Sequence, residues 1–284
     1  MNKFTNTISR KTCNNLVNGQ NMEGKPSGII IDLAKTQHAD YIKLLEKIGM
    51  KTYVIEPDEF YPDSTFVEDA ALLADKCAVI TNPGHPTRQG EKTEMTAHVA
   101  QFYPIGKIHY IQAPGTMDAG DVMMVDDTFY VGITSRTNQE GIDQLTKIYE
   151  PYGYKVIGVK IDAGLHLKSS VSYLEHNNLL IEETFNDYLI SVKNDVFDSF
   201  NKVIIPKASA YATNSIWINE NIIIPAEFPE VYEQLEKELK GKGPDGKDYT
   251  FHKCATSEIA KVDGGLSCTS LRFKAPECSC SKEK

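Results

Sequence analysis

Five segments of the chain each set a polar residue beside a short apolar run. They are FVEDAALLADKCAVIT (66–81), MDAGDVMMVDDTFYVG (117–132), HLKSSVSYLEHNNLLIEE (166–183), TNSIWINENIIIPAE (213–227) and SCTSLRF (267–273). In the first four, a turn rich in Asp, Asn or Lys joins that run to a second one, which predicts a β-hairpin. Helix-like stretches follow three of the hairpins: EKTEMTAHVAQFY, NQEGIDQLTKIYEPYG and PEVYEQLEKELK. One polar position per segment gives Glu68, Asp118, His166, Asn214 and Cys268, separated by 50, 48, 48 and 54 residues. A period near 50 of strand, turn, strand and helix predicts an α/β fold built by radial or stacked repetition, not two independent domains. If five such units close around an axis, the inner strands deliver carboxylates, a histidine and a cysteine to one central pocket.

No Pro/Gly/Ser-rich linker divides the chain. GKGPDGKD (241–248) is the most loop-like stretch and reads as a surface loop before the last unit. The expectation is therefore one α/β domain over residues 1–284, with about 274–284 a C-terminal tail. The 284 residues, 41% hydrophobic and 24% charged, can bury a sizeable core. No apolar run approaches the ~20 residues that span a bilayer, and MNKFTNTISRKTCNNL has no secretory h-region. A cytoplasmic protein with no membrane partner is expected.

Charge narrows the ligand class. Thirty basic against thirty-nine acidic residues give a net charge of −9. That disfavours a nucleic-acid partner and suits a small cation drawn to a carboxylate-lined cleft. Six cysteines in a long chain of this kind do not read as a disulfide framework. Cys278 and Cys280, in the tail ECSCSKEK, read as spare thiols in preference to a metal site. Cys13, Cys77 and Cys254 read as small buried or surface residues.

Cys268, in VDGGLSCTSLRF, is open by sequence alone to four roles: core residue, disulfide partner, metal ligand or nucleophile. His166, two residues after Gly164, is placed to present its ring at the mouth of a strand. A distant Cys and His with carboxylates are the parts of thiol catalysis. Asp63, Glu68 and Asp69 lead into one apolar strand, and Asp118 and Asp121 lead into another. Such paired acids suit a guanidinium, whose planar fork of N–H donors matches carboxylates.

The motifs PDSTFVEDAAL, NPGHPTRQGE, TMDAGDVMM, SRTNQEG, GLHLKS and KVDGGLSCTS together resemble those of the dimethylarginine dimethylaminohydrolases, in the same order from about residue 28 to 273. These belong to the guanidino-group-modifying superfamily. The resemblance implies a five-bladed α/β propeller of ββαβ units, the pentein fold, around a central active-site pocket. It also implies Cys268 as nucleophile, His166 as general acid/base and Asp118 as the group that orients the histidine. Asp63, Glu68 and Asp69 would hold the substrate's guanidinium and amino groups, with Phe66 as a wall. Arg88 and Arg136 would clamp its α-carboxylate. The Val262 carbonyl, with Asp263 beside it, would receive the α-ammonium.

The implied reaction cleaves a guanidino C–N bond of asymmetric dimethylarginine or monomethylarginine through a thiouronium on Cys268. It gives citrulline and an alkylamine, with no cofactor and no metal. An arginine deiminase, a citrulline hydrolase, an amidinotransferase and a non-catalytic binder of arginine derivatives are the alternatives. Gly265 is expected to enlarge the pocket or loosen its turn, and the Gly-rich segment NGQNMEGKPSGI (18–29) to form a lid. A monomer and a homodimer are both compatible with the sequence.

Overall fold

The computed structural model describes residues 3–22, 24–161 and 164–275. Its strands form five three-stranded sheets, each built to one plan. An inner strand pairs antiparallel with a middle strand. The middle strand then pairs parallel with an outer strand that returns after a helix or a longer crossover.

The second sheet joins β3 (Ala71–Leu73), β4 (Ala78–Ile80) and β5 (Ile108–Tyr110), and the third joins β6 (Val122–Val125), β7 (Thr128–Ile133) and β8 (Lys155–Lys160). The fourth holds β9 (Val171–Tyr173), β10 (Asn178–Glu182) and β11 (Asn201–Ile205), and the fifth β12 (Ile216–Ile218), β13 (Asn221–Pro225) and β14 (Thr250–Cys254). The first sheet is split. Here β1 (Asn6–Arg10) pairs parallel with β2 (Lys51–Ile55), and its inner strand is β15 (Leu271–Phe273) from the other end of the chain. SCTSLRF therefore has no hairpin partner downstream because the N-terminal strand supplies it.

The three expected helices are α2 (Glu91–Val99), α3 (Gln139–Tyr149) and α5 (Pro229–Glu238). The structure adds α1 (Ile31–Lys47) and α4 (Glu183–Ser191). Local chemistry starts them where they start: the Asn138 side chain accepts from the Gly141 N–H, Glu182 from Thr184 and Phe185, and Pro229 opens α5. The 241–248 stretch lies mostly exposed between α5 and β14. Asp126, Glu175, His176, Asn177 and Asn219 take positive φ in the hairpin turns.

The middle strands explain the apolar runs. In β10, Leu179 and Ile181 enter the core shared with the third sheet, while Leu180 enters the core shared with the fifth. In β13, Ile222 and Ile224 face one neighbour and Ile223 the other. A strand buried on both faces loses polar alternation and reads as a continuous hydrophobic run. Five such cores link consecutive sheets around the ring, including the one between the fifth sheet and the first. Cys77 and Cys254 are buried members of two of them.

All five inner strands line one axial cavity of about 120 Å³. This is the five-bladed α/β propeller. No helix among the described residues is long and apolar enough to cross a membrane. Cys278 and Cys280 lie outside the described residues.

Phe273, 1% exposed, meets Phe102 and Tyr103 where β15 closes the ring. Phe273→Ala should cost about 3–5 kcal/mol in chemical denaturation. Phe60→Ala, at a side chain 91% exposed, should stay within about 0.5 kcal/mol of the parent.

Candidate active site

A short 3-10 turn precedes each inner strand: Val67–Ala70, Ala119–Asp121, Leu167–Ser169, the longer Lys207–Asn214, and Ser267–Thr269. Four successive pairs of turns touch around the ring, and Ser267 Oγ donates to Asn214 Oδ1 at 3.1 Å to complete it. Asp118 and His166 are the residues immediately before their turns. Glu68, Asn214 and Cys268 lie within theirs. The recurring polar position of the sequence thus falls in or next to the same turn of each repeat.

All the expected site residues except Glu68 line one narrow cavity of about 30 Å³. Gln20, Leu165 and Gly264 join them there. Glu68 faces the axial cavity on the other side of the turn, with Oε1 held by Lys168 at 2.6 Å and Arg272 at 3.2 Å. That differs from the expected place beside Asp69. Within a tight turn, consecutive side chains point to different sides.

His166 is buried, with Nε2 3.1 Å from Asp118 Oδ2 and 4.0 Å from Asp69 Oδ1. Burial alone would lower its pKa. The charge of Asp69, the hydrogen bond to Asp118 and the charge of Asp121 outweigh it and raise the group to about 9. At neutral pH the ring is an imidazolium. Both carboxylates are fixed by backbone donors: Gly84 N–H gives 2.8 Å to Asp118 Oδ1, and Gly120 N–H gives 2.9 Å to Asp69 Oδ1. A Cβ on Gly120 would come within 2.6 Å of His166 Nδ1, so glycine lets the ring pack there. Asp69, Asp118 and His166 each bring one atom within 4.8 Å of the others, a spacing compatible with a cation. His166 Nε2 and the oxygens of both carboxylates are already engaged with one another, with Arg88 or with backbone N–H groups.

Burial would raise the carboxyl of Asp69, but the cationic His166 and Arg88 hold it below the ordinary carboxylate range. Arg88 is itself buried. Its Nη1 meets Asp69 Oδ2 at 2.5 Å, while Nε and Nη2 form a fork on Glu91 at 2.9 and 2.8 Å. Nη2 also donates to the Phe66 carbonyl at 2.9 Å. Most of its donors are therefore spent on the protein. Arg136 is freer, with Nη1 3.8 Å from Asp118 Oδ2 and Nη2 donating to Gln20 Oε1 at 3.0 Å. Asp121 turns away from the cavity and accepts from Thr134, Thr137 and the Leu167 N–H. It supports the turn that carries His166, and is not one of a pair of acids facing the cysteine.

Cys268 is a free thiol. Burial, then the negative charges of Glu68 and Asp69, push it up to about 12, against a lowering hydrogen bond from the Gly265 N–H and the charge of Lys168. The paired glycines before it are packing requirements. A Cβ on Gly264 would collide with the Phe66 ring, and one on Gly265 with the Asn214 side chain. Gly265 is thus occupied against Asn214, not widening the cavity. The Tyr211 hydroxyl donates to the Gly264 carbonyl and fixes the same turn.

Three bonds bring the N-terminal loop over the cavity. Gln20 N–H donates to Asp63 Oδ1 at 3.0 Å, Gln20 Oε1 receives Arg136, and Met22 N–H donates to Asp263 Oδ2 at 2.5 Å. Gln20 was not singled out by sequence reasoning. Its segment carries no repeat position, and its partners lie 43 and 116 residues away.

Residues 6–208 match the family described as N,N dimethylarginine dimethylhydrolase, eukaryotic. The chain is 41% identical over 274 residues to the dimethylarginine dimethylaminohydrolase of Pseudomonas aeruginosa, covering 95% of this chain and all of the other. A structure of that organism's enzyme, a Cys-to-Ser variant complexed with citrulline, superposes with a TM-score of 0.86 at 40% identity, over 95% of this chain and 100% of its own. A dimethylarginine dimethylaminohydrolase His-to-Gly variant, held as an adduct with S-methyl-L-thiocitrulline, superposes equally well at the same identity and coverage. With a family model matching well over half of its residues and a 41% identical relative aligned along nearly its whole length, the chain belongs to the dimethylarginine dimethylaminohydrolase family.

Proposed function

We infer that the protein hydrolyses Nω-methylated arginines to citrulline and an alkylamine. The observation that carries this reading is the convergence of Cys268, the His166–Asp118 pair and Asp69 on one cavity in a chain of this family. The relative held as an adduct with S-methyl-L-thiocitrulline supports a covalent route, and the relative complexed with citrulline supports that product. Residues 1–284 act in this reading as a single catalytic domain, since the site draws on turns from most of the ring.

The resting site holds a protonated thiol and an imidazolium. A substrate guanidinium entering beside Asp69 and Phe66 adds a positive charge next to the sulfur. That charge offsets Glu68 and Asp69, and the thiol releases its proton to solvent water. The thiolate attacks the guanidinium carbon and forms a tetrahedral adduct. His166 passes its proton to the substituted nitrogen, the C–N bond breaks, and dimethylamine or methylamine leaves a thiouronium on Cys268. Neutral His166 then takes a proton from water as the oxygen adds to the same carbon. The C–S bond breaks last as the adduct's hydroxyl proton passes to the departing sulfur, giving citrulline, the protonated thiol and a recharged histidine. Each proton and electron pair is accounted for by groups of this chain and by water.

Head-group recognition falls to the cavity rim. Arg136 is the better placed of the two arginines for the α-carboxylate, because Arg88 is committed to Asp69 and Glu91. Asp63, Asp263 and the Val262 carbonyl serve the α-ammonium once the Gln20 and Met22 N–H groups withdraw.

Product analysis with asymmetric dimethylarginine and with arginine tests the reading. Citrulline and dimethylamine should form preferentially from the methylated substrate and vanish in Cys268→Ser. Citrulline and ammonia mainly from arginine would make the protein a deiminase.

Asp118→Asn removes a contact that raises the His166 pKa. The alkaline limb of turnover, set in the parent where the imidazolium is lost near pH 9, should move to lower pH by about one unit, and kcat should fall about 10²-fold. An unmoved limb would dissociate it from His166.

Alkylation of Cys268 by a neutral haloacetamide should keep rising with pH beyond 9, since the raised thiol stays protonated at neutral pH. A cationic haloacetamidine should label it already near pH 7, because that reagent carries the charge that favours the thiolate.

A further inference from the structure

Behind the nucleophile, the axial cavity is crossed by three charges from three sheets. Glu68 precedes β3, Lys168 precedes β9 and Arg272 lies in β15. Lys168 Nζ stands 2.6 Å from Glu68 Oε1, and Arg272 Nη2 donates to the same oxygen at 3.2 Å. Glu68 Oε2 is buried without a hydrogen-bond partner among the described residues.

Arg272 also holds the backbone that carries Cys268. Its Nη1 donates to Ser270 Oγ at 3.2 Å and to the Ser267 carbonyl at 3.4 Å, one on each side of the cysteine. Ser270 Oγ is pinned in turn by the Tyr41 hydroxyl at 2.8 Å. The cluster is therefore fixed to the nucleophile's own turn. Two cations there share one carboxylate.

The other charged groups around Cys268 fall on the substrate side. Asp69 and His166 balance each other there, with Arg88 behind Asp69. Asp63, Asp118, Arg136 and Asp263 line the same cavity, and Tyr211 approaches from the fourth inner turn. On the axial side the balance is left to Glu68, Lys168 and Arg272. Glu68 opposes a negative sulfur and Lys168 favours one.

We propose that the Glu68–Lys168–Arg272 cluster sets the resting reactivity of Cys268, Glu68 restraining the thiolate and Lys168 countering that restraint. Both act through the sulfur, and the proposal rests on Cys268 being the nucleophile. The arrangement keeps the thiol quiescent until a cation arrives on the substrate side, while preventing the carboxylate from suppressing the thiolate altogether. Removing the carboxylate charge leaves two unopposed cations beside the turn. Removing the lysine charge leaves Glu68 shared with Arg272 alone.

The test is the pH profile of Cys268 alkylation by iodoacetamide in the full chain, read peptide by peptide so that Cys13, Cys77 and Cys254 do not contribute. Glu68→Gln should react about tenfold faster than the parent at pH 8, and Lys168→Met about tenfold slower. Lys168→Arg, which keeps the charge, should return to within about twofold. Thermal unfolding confirms that each variant is folded. If Glu68→Gln and Lys168→Met both remain within twofold, or shift the same way, the cluster is structural only and the proposal falls. Should Glu68→Gln fail to fold, equal rates for Lys168→Met and Lys168→Arg overturn it alone. Failure of the underlying reading would show separately, as turnover that survives Cys268→Ser.

Discussion

The antiparallel pairing of β15 with β1 is the contact on which the site depends. Three residue pairs, Asn6–Phe273, Thr7–Arg272 and Ile8–Leu271, join strands from opposite ends of the chain. Without them the fifth inner turn has no fixed position, and Cys268 is not held beside the Val67–Ala70 turn. Loop closure over so many residues is entropically costly, but the cost grows only slowly with length. Cores on both sides of the first sheet offset it, since Ile8 and Phe273 enter one and Phe4, Tyr41 and Leu45 the other. The cavity that gathers Cys268, His166 and Asp118 and the integrity of the ring are thus parts of one arrangement.

The charges follow from that closure. Five inner turns converge on an axis whose walls are mostly apolar, so each charged group must find its partners locally or incur a desolvation cost. The structure divides them between two chambers. On the substrate side, Asp69 binds Arg88 and faces His166, and Asp118 faces His166 and Arg136. On the axial side, Glu68 binds Lys168 and Arg272. Cys268 lies between them, near carboxylates of both. Burial raises the Cys268 thiol most and the carboxylates add to it, while the carboxylates raise the His166 imidazolium against burial, because negative charge penalises a thiolate and rewards a cation.

Much of this was legible in the sequence because it repeats. The spacing of Glu68, Asp118, His166, Asn214 and Cys268 pointed to the five units, and each proved to sit in, or immediately before, the turn that precedes an inner strand. The motifs gave the identities of the residues that line the cavity. What periodicity could not give was the direction of individual side chains in the 3-10 turns. Glu68 and Asp69 are adjacent in sequence yet serve opposite chambers. Asp118 and Asp121 look equivalent, but only the first reaches His166, while the second caps the Leu167 N–H. The split first sheet was hidden for another reason: its strands lie more than 260 residues apart, and a local pattern carries no information on that pairing.

Asn214, the fourth of the repeated positions, holds the next turn in place. Asn214 occupies the fourth inner turn, receives Ser267 Oγ, and packs where a side chain on Gly265 would stand. It therefore locks the turn that carries Cys268, as Gly120 lets the ring of His166 pack by leaving room for it. A thiol kept protonated and a histidine kept charged are unreactive as a pair until positive charge enters between them. The cation that does so in the proposed reaction is the substrate. Ground-state quiescence and substrate recognition then have the same physical basis: the carboxylates that hold the thiol down are those whose field a bound guanidinium cancels.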